Sequence, residues 1–86
     1  MKTELADYIL FLSECVAHTK YANDRPLYGD YLSDAGVLLA SVERGASPEV
    51  LNEKIERHER LLSQTWLAGP EHEGIFKAWK RVKDAR

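Results

Sequence analysis

No stretch of this sequence is apolar over anything close to the roughly 18 residues that a bilayer-crossing helix needs. The opening Met1-Lys2-Thr3-Glu4 also lacks the basic-then-apolar layout of a secretory leader, so the expected location is the cytoplasm. Cysteine is nearly absent. The lone Cys15 has no internal partner, which excludes an internal disulfide and leaves packing as the source of stability. Glycine and proline are sparse, at 5 and 3 residues, and the chain shows none of the compositional bias of a disordered protein. Neither sign of charge dominates: 14 acidic and 12 basic side chains give a net charge of −2. A general nucleic-acid binder carries a basic excess, so nucleic acid is not the expected partner. Also missing are a glycine-rich phosphate loop, a Gly-x-Ser-x-Gly elbow, a Cys-x-x-Cys pair and a His-Glu-x-x-His helix. With no catalytic constellation and no ligand set in view, the expectation is a non-enzymatic protein without a cofactor.

What is present is spacing. Pro26, Pro48 and Pro70 stand 22 residues apart, each at the entrance of a segment whose apolar residues recur at helical intervals. Proline suits the first turn of a helix, where its missing N–H had no intrahelical partner and its fixed φ is already helical. The pattern predicts four helices over about 3–22, 26–44, 48–66 and 70–83, forming one all-α domain across residues 1–86. Short connections make successive helices antiparallel neighbours, so an up-and-down bundle with a short last helix is expected. An alternative is three long helices with the last folded across one end.

The first helix is apolar on two sides. Leu5, Tyr8, Ile9, Leu12, Cys15, Val16 and Thr19 form one stripe, and Leu10, Ala17 and Tyr21 form another on the opposite side. A helix apolar around most of its circumference is either central in its fold or buries its second face against another chain. Leu10, Ala17 and Tyr21 are therefore the expected self-association residues of a homodimer. In the second helix Tyr28, Tyr31, Leu32, Ala35, Leu38, Leu39 and Val42 face the core, and Gly45 ends it. Beside that face run Gly29, Ser33, Gly36 and Ala40, small residues for which close approach of a neighbouring helix is the expected reason. Ser47-Pro48-Glu49 is a strong start for the third helix, whose apolar face reads Val50, Leu51, Ile55, His58, Leu61, Leu62, Thr65 and Trp66. Glu53 with Arg57, and Glu56 with Arg60, are spaced for ion pairs on its wet face. Ile75, Phe76, Trp79 and Val82 form the buried edge of the fourth helix.

Candidate chemistry is thin. Cys15 and His18 are three apart but lack further ligands, and Asp24, Asp30 and Asp34 lack the alternating oxygens and central glycine of a calcium loop. A metal or small-ligand site using His58, His72 and Glu73 is the second reading. A nucleic-acid accessory role for the basic end, Lys77, Lys80, Arg81, Lys83 and Arg86, is the third. A helix-turn-helix around Gly45-Ala46-Ser47 would present Glu49, Glu53, Glu56 and Glu59 to phosphates, which repels them. The leading reading is a protein-interaction module of regulatory, adaptor, inhibitor or immunity type. Its partner surface is expected at Tyr21, Asp24, Arg25, Tyr28 and Tyr31, because tyrosine and arginine combine contact area with a polar handle.

Overall fold

A computed structural model describes all residues, 1–86, as four helices: α1 (Lys2–His18), α2 (Arg25–Glu43), α3 (Pro48–Gln64) and α4 (Glu71–Asp84). α1 packs against α2 and α4, and α2 packs against α3. Pairings along each interface fix the directions. Lys2 meets Glu43 while Arg25 reaches Val16 and Thr19, so α1 and α2 are antiparallel. Asp34 meets His58 and Tyr31 meets Thr65 for α2 and α3. Glu59 meets Lys83 and Asn52 meets Arg86 for α3 and α4. The position of Gly74 faces Phe11 while Trp79 faces Tyr8, which closes α4 back onto α1. The result is an up-and-down four-helix bundle of 38 × 22 × 19 Å. α4, at 14 residues, rises ~21 Å. It is thus long enough to run beside α1 and does not fold across one end.

The helix ends follow local chemistry. Ser47 caps α3, accepting the Val50 N–H at 3.4 Å, with Pro48 as the first helical residue. α2 ends in a Schellman motif: the Ala46 N–H donates to the Ser41 carbonyl and the Gly45 N–H to the Val42 carbonyl. That arrangement needs a left-handed residue, and Gly45 supplies it with φ of 72°. α1 stops at His18, four residues earlier than its spacing predicts, because Thr19 is extended and the Arg25 guanidinium takes the carbonyls of Val16 and Thr19. α1 begins at Lys2 with Met1 in the cap position, its amino group pairing with Glu4 at 3.0 Å.

Leu5, Tyr8, Leu12 and Cys15 of α1 join Tyr28, Tyr31, Ala35 and Leu38 of α2, Ile55 and Leu62 of α3, and Ile75, Ala78, Trp79 and Val82 of α4 in one core. Burial of this apolar surface is the main stabilising term. One expectation about packing is corrected. A methyl added at Gly29 or Gly36 would meet nothing within 4 Å, so no helix of this chain approaches the small-residue stripe of α2. Close approach occurs instead at Gly74, where a Cβ would lie 2.6 Å from the Phe11 ring.

Candidate functional site

The residues expected to form a partner surface are mostly interior. Tyr28 and Tyr31 are buried, and their hydroxyls donate to Glu71 and Thr65 respectively. Asp24 precedes α2 but does not cap it. Its buried carboxylate crosses to the α3–α4 connection and accepts the N–H groups of Ala68 at 2.9 Å and Gly69 at 2.8 Å. Those amides would otherwise lack partners, which explains why an acid is buried there. Of the five, only Tyr21 and Arg25 remain at the surface, and the Arg25 guanidinium is already bonded to the end of α1. The self-association stripe is also broken. Leu10, 60% exposed, and Ala17 face solvent on α1, but Tyr21 lies beyond the helix end with its ring against Gly69.

The histidine readings change as well. His58 is fully buried among Tyr8, Tyr31 and Trp79, the indole lying 4.4 Å from it between ring centres. Both of its nitrogens are engaged: Nδ1 lies 2.8 Å from Asp34 Oδ2 and Nε2 lies 2.6 Å from the Tyr8 hydroxyl. A carboxylate only accepts, so Nδ1 carries the proton and the Tyr8 O–H donates to Nε2. Arg57 binds the other Asp34 oxygen at 3.2 Å, which draws it away from the expected partner Glu53. Burial outweighs Asp34 and holds the imidazole pKa below its ordinary 6.5. The Tyr8 phenol is pushed up by the same burial. Chemically this Tyr–His–Asp–Arg chain resembles a proton relay, but the phenol and imidazole lie inside the bundle, and their bonds tie α1, α2 and α3 together. His72 instead bonds the Gly69 carbonyl through Nδ1, and no group of three or more ligand-type side chains converges for a metal. Cys15 is buried and its thiol is raised to about 11, chiefly by desolvation, so it stays protonated at neutral pH. Of the basic end, Lys77, Lys80 and Lys83 each pair with an acid of the same chain, Glu73, Asp84 and Glu59.

The least satisfied surface lies between α3 and α4. Here a groove of about 710 Å³ has Glu56, Glu59, Arg60 and Ser63 on its α3 side and Phe76, Lys80 and Lys83 on its α4 side, with Glu59 and Lys83 paired across it. Leu62, Ser63 and Phe76 continue into an adjoining apolar recess of about 310 Å³, which Tyr31, Trp66, Leu67 and Ile75 also line. Trp66 stands at its edge, 88% exposed, and Phe76 is 48% exposed. Both belong to faces read as core in the sequence. α3, however, ends at Gln64 and Thr65 is extended, so Trp66 leaves the helix and turns outward instead of stacking below Leu62. The signal available beforehand was Gly69-Pro70 a few residues on, which marks a connection that an apolar residue reaches only after leaving its helix face.

A tryptophan this exposed beside an apolar recess is a site able to grip an apolar side chain or helix face, with cations and carboxylates along the rest of the groove. Compared with known proteins, the chain matches no protein-family model, no curated sequence and no solved structure.

Proposed function

We propose that this protein is a non-enzymatic interaction module of the cytoplasm that works by docking a polypeptide into the groove between α3 and α4. The observation that supports this most directly is Trp66, solvent-exposed at the edge of a recess lined by Leu62, Ile75 and Phe76. Leaving an indole in water forgoes roughly 1.5–3 kcal/mol of burial, while nearby Trp79, of the same residue type, is fully used inside the core. Exposed aromatics beside a pocket are the residues that dominate interface energetics. Grooves between two helices accept an amphipathic helix through anchors spaced at i, i+3, i+4 and i+7. The groove spans about that repeat, since Glu56, Arg60 and Ser63 fall at successive turns of α3 and Trp66 follows just beyond its end. A regulatory, adaptor, inhibitor or immunity-type role is compatible with such a module.

The test is crosslinked capture in the native host with wild-type and Trp66→Ala baits expressed at equal level. A stoichiometric protein recovered by the first and lost from the second is the expected result. Retention of that protein by both Trp66→Ala and Phe76→Ala would move the binding surface elsewhere on the bundle.

A further inference from the structure

We propose that acidification opens α3 as a unit while α1, α2 and α4 stay together, with His58 as the group that takes the proton.

α3 is the least anchored of the four helices. Of its 17 residues only Ile55, His58 and Leu62 are buried, whereas α1, α2 and α4 bury four, five and four. It packs closely against α2 alone, while α1 packs against both α2 and α4. Its other cross-helix ties, Arg57 to Asp34, Glu59 to Lys83 and Asn52 to Arg86, use side chains in contact with water, and such pairs contribute little. Both of its ends are bounded by structure that does not need it. Gly45 closes the Schellman turn that ends α2. At the far end Tyr31 holds Thr65, and Asp24 holds the N–H groups of Ala68 and Gly69, so the connection to α4 is fastened to α2. An opening of α3 therefore stops at these points, and the contacts among α1, α2 and α4 survive it.

His58 is the one residue of α3 that joins all three other helices. Its Nδ1–H donates to Asp34 of α2, its Nε2 accepts the Tyr8 hydroxyl of α1, and its ring lies against Trp79 of α4. The titratable and charged groups around it are Tyr8 from α1, Tyr31 and Asp34 from α2, Glu59 and the Asp34-bound Arg57 from α3, and Lys83 from α4, which sits on Glu59. A second proton has only Nε2 to occupy, where it meets the Tyr8 hydroxyl hydrogen across 2.6 Å. The phenol must turn that hydrogen away, yet it is fully buried and has no other bonded partner. Asp34 offsets part of the new charge, but Arg57 already shares that carboxylate. With α3 open, imidazolium and phenol both reach water, so the proton favours the open form.

Amide protection factors measured at about pH 7.5 and about pH 5.5 test this. Residues 48–64 should lose protection severalfold, up to about the tenfold limit that one proton sets across a pH unit, while the interiors of α1, α2 and α4 keep theirs. His58→Gln should leave α3 equally protected at both pH values. If that variant does not fold, the wild-type ring resonances of His58 serve instead: loss of α3 protection should begin near 6.5 and level off where those resonances show the folded protein protonated. An equal loss in all four helices overturns the proposal, because the proton would then act on global unfolding alone. Unchanged protection of α3, a loss that persists in folded His58→Gln, or a loss that continues below the His58 titration overturns it as well.

Discussion

At the scale of single residues, His58 shows how a polar group is kept inside a small core. Its two nitrogens are satisfied by different helices, so removing either partner leaves a buried polar atom alone. Tyr8→Phe keeps the ring and its packing against Trp79 but orphans Nε2, and urea melts should register a loss of about 1–3 kcal/mol. The depressed imidazole pKa sets a pH dependence with a definite sign. Above 6.5 both folded and unfolded chains hold His58 neutral and nothing changes. Below that value the unfolded chain gains a proton that the folded chain does not take up until a lower pH, so stability falls through that window. Melts between about pH 7.5 and pH 5.5 should show the decline, and a His58→Gln variant, though less stable throughout, should lack it. Glu59, held below its ordinary 4.5 first by its bond to Lys83, loses its contribution only at lower pH, which separates the two effects.

At the scale of elements, α2 carries glycines with opposite roles. Gly29 and Gly36 lie inside the helix with open space where a methyl would stand, so alanine at either should raise the melting temperature, by up to roughly 1 kcal/mol of stability each. Gly45 also has open space, but its positive φ is required by the Schellman motif, so Gly45→Ala should cost roughly 1–2 kcal/mol. Thermal melts of the three variants read both signs in one helix. The connection between α3 and α4 depends on a residue from another element. Asp24→Ala should unfasten Ala68 and Gly69, losing two charge-assisted bonds of about 1.5–3 kcal/mol each, and amide exchange should rise first at those two positions. Asp24→Asn keeps an acceptor oxygen for only one of them and should fall between.

At the scale of the molecule, four helices in antiparallel order were legible because the signals are local. Proline at a helix start, serine at a cap, glycine at a C′ position and apolar spacing near 3.6 all act within a few residues of themselves. Gly45 and the Ser47-Pro48 start stand where their chemistry requires. Side-chain destinations were less legible, because each is decided by a neighbour distant in sequence. Tyr28, Tyr31 and Asp24 read as partner-surface residues until Glu71 and Thr65 are seen to receive the two hydroxyls and the backbone of the α3–α4 connection is seen to claim the carboxylate. Arg57 had an i−4 glutamate on its own helix, yet Asp34 sits beside His58 and takes it. The groove is the clearest case: ending α3 two residues early turns Trp66 from core to surface. By itself, then, the sequence determined helix number, order and the main buried stripes, since backbone hydrogen bonding and apolar periodicity are short-range. Only the tertiary structure decided which polar groups are consumed internally and which apolar ones stay unburied, because that choice depends on where separate helices meet.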